Sequence, residues 1–333
     1  MNTVRARLRR RTQGTGLIEL MLAMLLGLSL VSALLTAYLA SYRQALLGAA
    51  LAEVMENGRY AVRLIAREGA MAGFFGGVAP VHSLTVPAIA LDCGAEPWAL
   101  DPNTPLDMVD NFADEAAPPL SQSGRHLDCI DAASVVRGSD LLAIKRTAAR
   151  ASYSGGQAAQ DLSSSGALRW YLRREPDGAA QWEQWQPTAL SRLVGEPQGV
   201  SFWQGASRVL FLRAYARLPG DGIPTLCAET LGGGRMSAKC LVEGVEQLQI
   251  GVGVDTDGDG FANVYRWRPS ASELSAAVSL RVQLLLRSHR PVPGLQDHRQ
   301  YTIGQGSVVV AGDGYLRRIF ESTVRLRSLA PAL

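Results

Sequence analysis

The clearest pattern along the chain is an apolar run near its start. Residues 17–40 are mostly apolar and contain one charged side chain, Glu19. At a helical rise of about 1.5 Å per residue, a run of this length can cross the hydrocarbon core of a bilayer. Five arginines precede the run, with no acidic residue among them. Because positive charge is retained in the cytoplasm, the sequence predicts a membrane-spanning helix with a cytoplasmic N-terminus.

A cleaved secretory signal is the alternative interpretation, since it also begins with basic residues. Its apolar core is normally shorter and ends at a small-residue cleavage site. Residues 37–41, Ala-Tyr-Leu-Ala-Ser, resemble such a site. However, no boundary follows them, and the helical pattern continues, which favours an uncleaved span.

After residue 40 the pattern becomes periodic. Over residues 41–73 apolar positions recur at intervals of three and four, as in a helix with one buried face. Glycines at residues 73–77 then end the predicted helix. We therefore expect one long helix whose second half packs on a domain formed by residues 74–333. The stripe predicted to face that domain comprises Leu47, Leu51, Val54, Ala61 and Ile65.

The rest of the chain predicts β-strands joined by loops. A Glu-Pro-Asp-Gly turn at residues 175–178 lies between two strand-like segments and predicts a hairpin. Residues 241–252 alternate as one half-buried strand does, and residues 278–288 are apolar enough for a central strand. The segment 93–129, rich in Pro, Asp and Ala, predicts a loop insertion tethered by a disulfide, and the Ser/Gly/Ala-rich residues 152–166 predict a second loop.

Charge and cysteine content limit the functional classes. The first 14 residues hold five of the 33 basic residues and no acidic one, which leaves 28 basic against 30 acidic side chains in the remainder. This balance does not favour nucleic-acid binding, which usually requires a basic excess. Four cysteines beyond the membrane segment predict two disulfides in an oxidising periplasm. Three pairings are possible, of which Cys93–Cys129 with Cys227–Cys240 closes the shortest loops.

The start of the apolar run resembles the class III signal of type IV prepilins. Residues 14–19 read Gly-Thr-Gly-Leu-Ile-Glu, with a glutamate five residues after a glycine. The resemblance implies a leader at residues 1–14, cleavage between Gly14 and Thr15 by a prepilin peptidase, and methylation of the new N-terminus. It also implies that Glu19 meets the N-terminal amine of a neighbouring subunit, and such pairing would offset the desolvation of both charges. The family usually has Phe or Met where this chain has Thr15.

A second set of motifs resembles PilW-type minor pilins. Residues 56–61, Glu-Asn-Gly-Arg-Tyr-Ala, and residues 71–76, Met-Ala-Gly-Phe-Phe-Gly, resemble the helix end of that family. The blocks at 241–246, 279–288 and 317–320 occur in the same order in it. The resemblance implies an α+β, pilin-like fold, in which a long N-terminal helix, half of it transmembrane (residues 15–40), packs on an antiparallel β-sheet domain.

The functional expectation is a minor pilin that initiates type IV pilus assembly, with the fibre tip as a candidate position. The resemblance implies other minor pilins, the major pilin and the prepilin peptidase as partners. It places the chain first in the inner membrane, with the domain in the periplasm, and then in the pilus fibre. A minor pseudopilin of a type II secretion system is an alternative, since it uses the same signal and helix. A membrane-tethered, calcium-dependent adhesion module is another.

The loop at residues 255–260, Asp-Thr-Asp-Gly-Asp-Gly, begins like an EF-hand calcium loop. Asp255, Asp257 and Asp259 are candidate ligands, and Asn263 stands at the ninth place, where contact through water is common. Arg266 occupies the twelfth place, where a bidentate glutamate belongs. The competing interpretation is an Asp/Gly-rich hairpin turn that needs no metal. No cofactor is otherwise expected.

An enzymatic function has little support in the sequence. There is no Gly-x-Ser-x-Gly motif, and His82, His126, His289 and His298 lie in polar, loop-like contexts. We therefore expect a non-enzymatic protein.

Overall fold

The computed structural model describes residues 16–78, 84–94, 97–154, 157–158, 167–187, 193, 195–309 and 312–329. Most of the predicted loop 152–166 and the whole leader lie outside this part. The chain divides into two units, residues 1–49 and 50–333.

One long helix and many short antiparallel strands make an α+β fold, as predicted. Helix α1 spans Leu17–Ala70, and a short helix, α2, spans Ala271–Ser275. The described strands are, in chain order, β1 (Leu106–Val109), β2 (Leu141–Ile144), β3 (Tyr153–Ser154), β4 (Gln157–Ala158), β5 (Arg169–Arg174), β6 (Ala180–Trp185), β7 (Ser201–Gln204), β8 (Arg208–Arg213), β9 (Thr225–Gly232), β10 (Arg235–Glu243), β11 (Val245–Val254), β12 (Val264–Arg266), β13 (Ala277–Arg287), β14 (Gln300–Ile303), β15 (Gly306–Val309) and β16 (Arg317–Arg325).

The strands form four antiparallel sheets among the described residues. A first sheet has the order β1-β2-β8-β9-β10, and a second has the order β12-β11-β13-β16. A third runs β4-β3-β7-β5-β6 and contains the predicted hairpin, β5–β6, while β14 and β15 pair with each other. Strand β13 lies between β11 and β16, so the predicted central strand is confirmed.

Alternate side chains along the first sheet face two different cores. Leu210 and Leu212 of β8 face a core shared with α1 and the second sheet, whereas Val209 and Phe211 face the opposite core. From Ala50 onward, the helix residues Val54, Ala61 and Ile65 are buried in the first of these cores. The side chains that alternate along the strands and those on one face of the helix, which recur every 3.6 residues, thus pack in the same core.

The prediction for the helix stripe is wrong at two positions. Leu47 is 40% exposed and Leu51 is 36% exposed, whereas Val54, Ala61 and Ile65 are buried. The periodicity of the stripe gives the direction of a buried face but does not show where along the helix the domain begins. Burial on α1 starts at Ala50.

The predicted strand 241–252 is two strands. The break is at Gly244, whose φ of +81° favours glycine. A Cβ there would lie 2.6 Å from the carbonyl oxygen of Arg287. Strand β10 belongs to the first sheet and β11 to the second, so Gly244 is the point at which the chain passes from one sheet to the other.

The segment 93–129 is not a simple loop insertion. It contributes β1, which pairs with β2, and it buries Trp98, Leu100 and Leu127 in the core on the far side of the first sheet. The carboxylate of Asp92 organises its start by accepting hydrogen bonds from three backbone amides within 3.1 Å. Polar hydrogen bonding of this kind leaves no hydrophobic period in the sequence.

Candidate functional site

The predicted processing site lies at the start of α1. Gly14 and Thr15 are outside the described residues, so Glu19 is the only one of the three predicted positions that can be located. It lies in the first turn of α1, where its Oε2 accepts a hydrogen bond from the backbone N–H of Gly16 at 3.2 Å. A carboxylate is favoured there because the first amides of a helix have no intrahelical partner. The side chain of Glu19 is exposed.

The first half of α1 presents an apolar surface without a covering element in the described chain. Its large apolar side chains between Leu17 and Leu39 are 43–76% exposed. Within the described residues, Leu17–Ala70 is the one helix long and apolar enough to cross a membrane, and no residue of its most apolar stretch is buried. These properties suit a membrane anchor or a signal segment.

Residues 71–76 hold the end of α1 on the domain. The carbonyl of Phe74 accepts hydrogen bonds from the backbone N–H of Thr147 at 2.7 Å and from its hydroxyl at 3.0 Å. The ring of Phe74 meets Trp203 edge-on at 5.5 Å between centroids. Gly76 has a φ of +60°, and a Cβ on it would come within 2.8 Å of the Trp203 ring. Only glycine fits this close approach without displacement.

A buried ion-pair network joins the last turns of α1 to the first sheet. Glu68 is 2% exposed, and its Oε2 accepts hydrogen bonds from Nε and Nη2 of Arg146 at 2.9 and 2.7 Å. Its Oε1 accepts a hydrogen bond from Nη1 of Arg208 at 2.8 Å. Two guanidinium groups therefore share one carboxylate, and the local charge stays positive. The sequence contained a signal for this network, since Glu68 follows Ala61 and Ile65 at helical spacing on the buried face.

The three predicted aspartates converge. Asp255, Asp257 and Asp259 lie in the turn between β11 and β12, and each offers a carboxylate oxygen within 4.8 Å of the others. Asp257 and Asp259 are exposed. Oxygen ligands on a short, glycine-containing loop are the type that Ca²⁺ prefers. The geometry thus brings the three carboxylates together, as the spacing predicts.

The same loop satisfies many of its own polar groups. The Asp255 carboxylate accepts hydrogen bonds from the amides of Gly260 at 2.8 Å and Gly258 at 2.7 Å, and these bonds lower the pKa of Asp255 below its ordinary value. The side-chain Nδ2 of Asn263 donates to Asp257 at 3.0 Å. Arg266, at the twelfth loop position, pairs with Glu273 at 3.0 Å. Bonds of this kind are also typical of an Asp/Gly-rich hairpin turn, the competing interpretation of the loop.

Among the remaining candidate groups, the four cysteines and His289 make structural contacts. The disulfides are Cys93–Cys129 and Cys227–Cys240, which is the sequential pairing. His289 lies 3.0 Å from Glu53 of α1, a contact that joins the helix to the segment after β13. His126 and His298 are exposed, and His82 lies outside the described residues.

Comparisons with known proteins bear on the second half of the chain. No curated protein and no solved structure matches the chain. The family model described as Type IV Pilus-assembly protein W matches residues 215–328. That segment begins after β8 and includes β9 to β16, the second disulfide and the aspartate turn. The resemblance to PilW-type proteins is thereby confirmed over this segment, which is similar in sequence to the type IV pilus-assembly protein W family.

Proposed function

We propose that this chain is a minor pilin that acts in the initiation of type IV pilus assembly, with the fibre tip as its candidate position. The observation that carries the proposal is that one chain combines a PilW-like segment, residues 215–328, with an exposed apolar helix near its N-terminus. Pilus subunits need both parts, since the helix packs into the fibre and the domain contacts other subunits. The protein acts by assembly and carries out no catalysis.

The proposed route begins in the inner membrane. Prepilin peptidase cuts between Gly14 and Thr15 on the cytoplasmic face and methylates the new N-terminus. Residues 15–40 then pass from lipid into the helical bundle of the fibre, with other minor pilins and the major pilin as neighbours. Glu19 sets the axial register by pairing with a neighbour's N-terminal amine. The exposed carboxylate of Glu19 in the first helical turn supports this role.

Gene deletion tests the proposal against the secretion alternative. A minor pilin predicts loss of surface pili with exoprotein secretion intact, and a type II pseudopilin predicts the reverse. Complementation with Glu19→Leu should fail to restore pili, because the helix keeps its length but loses the carboxylate. Glu56→Leu is a matched control, since Glu56 is exposed on the same helix beyond the apolar run. Normal pili in the deletion strain would overturn the proposal.

The convergence of three carboxylates favours a second candidate function, a calcium-dependent binding module. Here Asp255, Asp257 and Asp259 would hold Ca²⁺ with weak affinity of the extracellular kind, on the order of 10⁻⁴–10⁻³ M. Calorimetric titration of the full chain in detergent with Ca²⁺ tests this. Asp257→Ala should abolish the heat of binding, and Asp177→Ala, in the exposed β5–β6 turn, should leave it unchanged. An absence of binding at millimolar Ca²⁺ would leave the turn as a structural hairpin.

A further inference from the structure

A pocket lined by arginines lies at the end of α1. Its volume is about 400 Å³, and its walls are the last turns of the helix, the segment after β2, and Gln204 and Ala206 at and just after the end of β7. We call it the arginine pocket, after Arg67, Arg146 and Arg150, which all line it. Apart from Met71, the remaining described lining is small or polar and includes Ala149, Ser152 and Gln204.

Positive charge predominates among the described residues of the arginine pocket. None of the described side chains that line it is acidic. The adjacent carboxylate of Glu68 is buried and already shared between Arg146 and Arg208. Within the described chain, Arg67 and Arg150 form no ion pair. Guanidinium groups that face a concave surface without counter-charge raise the local positive potential and attract anions.

The residues on either side of Arg150 also line the pocket. Ala148 and Ser152 donate their amides to carbonyls of the third sheet, at Gln204 and Phe202, both at 2.7 Å. Between them, the amides of Ala149, Arg150 and Ala151 donate to no acceptor among the described residues. Guanidinium forks and free amides together match the oxygens of a carboxylate, which accepts several hydrogen bonds in one plane.

We propose that the arginine pocket binds a carboxylate of an acidic side chain on another pilus subunit. The choice of a protein partner rests on the proposed function, since a pilin domain is surrounded by other subunits in an assembly. Arg67 and Arg150 make the contact, whereas Arg146 supports them from its buried pair with Glu68. The pocket thus gives this domain a charge-selective contact that is separate from the packing of the apolar helix.

The test uses the full chain in a neutral detergent with a hexaglutamate peptide as the probe. We expect binding that weakens with added salt and falls at least tenfold in the Arg67→Gln, Arg150→Gln double variant. Arg59→Gln is the matched control, because Arg59 is an exposed helix arginine outside the pocket. A hexaglutamine peptide should not bind. Arg146 is left unchanged because its loss would remove one of the two counter-charges of the buried Glu68 carboxylate.

Three results would overturn the inference. Equal peptide binding by the double variant and the wild type would place the acidic contact elsewhere. Binding of inorganic phosphate but not of the peptide would make the pocket a site for small anions. Recruitment to vesicles of anionic lipid without peptide binding would make it a headgroup site.

The failure of this inference is distinguishable from the failure of the proposed function. If the gene deletion removes pili and the Arg67→Glu, Arg150→Glu variant restores them fully, the chain is a pilin but the pocket is not a subunit contact. If the deletion leaves pili intact, the proposed function fails whatever the pocket binds. The expected result is loss of pili both in the deletion strain and in the strain with the charge-reversal variant. The charge-reversal variant should still be present in the membrane in normal amounts and folded.

Discussion

Glu68 of helix α1 and Arg146, just after β2, form a two-point ion pair with N–O distances of 2.7 and 2.9 Å, and each residue is at least 94% buried. This pair fixes the last turns of the helix to the first sheet at the point where residues 71–76 also dock. A buried ion pair adds little net stability compared with a well-packed apolar pair, but removal of one partner leaves the other charge buried without compensation.

Removing the carboxylate of Glu68 should therefore be strongly destabilising. Glu68→Gln leaves Arg146 buried and Arg208 half-buried without a counter-charge, and we expect a loss of about 3–5 kcal/mol in the free energy of unfolding. Urea unfolding of the full chain in detergent measures it. Glu56→Gln, on the exposed face of the same helix, should change stability by no more than about 0.5 kcal/mol. Similar midpoints for the two variants would contradict this role.

The packing of α1 against β16 depends on Gly58. A Cβ at this position would come within 2.3 Å of the Phe320 ring. Overpacking of this size typically costs about 1–3 kcal/mol, so Gly58→Ala should lower the melting temperature despite the better helix propensity of alanine. Gly48→Ala is the control, since its Cβ meets nothing within 4 Å, and we expect it to stabilise the helix by up to about 1 kcal/mol. A stabilised Gly58→Ala variant would show that the contact is loose.

Two buried carboxyl groups make stability fall with rising pH. Burial raises the pKa of Asp140 to about 7 despite hydrogen bonds from the amides of Asn111 and Ile250, and burial also raises the pKa of Glu229 to about 7. Between about pH 4 and 7 the folded state then binds more protons than the unfolded state, so the free energy of unfolding decreases as pH rises through this window. Above about pH 7 these two groups add no further change.

Urea unfolding at about pH 5 and about pH 7 checks the expected slope, below the range in which buried Lys145, with a pKa lowered to about 8, acts in the opposite direction. The Glu229→Gln variant should reduce the difference between the two conditions, because its carboxamide does not titrate. Carboxyl groups with lowered pKa, such as Asp297 at about 2, act in the opposite direction but only below about pH 4. Equal stability at both pH values would mean that Asp140 and Glu229 are solvated in the folded protein.

The two disulfides should differ in their effect on stability. Cys93–Cys129 closes a separation of 36 residues, and Cys227–Cys240 closes 13 between adjacent strands. In the chain-entropy account the longer loop contributes about 4 kcal/mol and the shorter about 3. We expect the Cys93→Ala, Cys129→Ala variant to unfold at a lower urea concentration than the Cys227→Ala, Cys240→Ala variant. The reverse order would show that the segment 93–129 is held mainly by its buried side chains.

Strong local patterns predicted the helix and several strands. Residues 17–70 combine an apolar run with a helical period and end at glycines, so the helix follows from local chemistry. The β5–β6 hairpin follows in the same way from its Pro-Asp-Gly turn. The failures have a common origin in tertiary structure. Gly244 lies inside an alternating run, and alternation does not reveal that the strand changes sheet at this residue.

The candidate sites show the same difference between features set by local sequence and features set by tertiary structure. The three aspartates of the β11–β12 turn converge because they alternate within one short loop, which the sequence alone reveals. Arg67, Arg146 and Arg150 meet in one pocket only because the helix end packs against the segment after β2. Sites assembled from distant segments need the fold, whereas sites within one loop do not.

The most direct test of the central claim is the N-terminus of the protein recovered from its native membrane. N-terminal sequencing with intact mass should show a chain that begins at Thr15, with a mass that reports whether a methyl group has been added. Such a chain would establish processing by a prepilin peptidase, with Glu19 as its fifth residue. An intact Met1, or a chain that begins near Ser41, would contradict the account, since the apolar helix would then be a plain anchor or a removed signal.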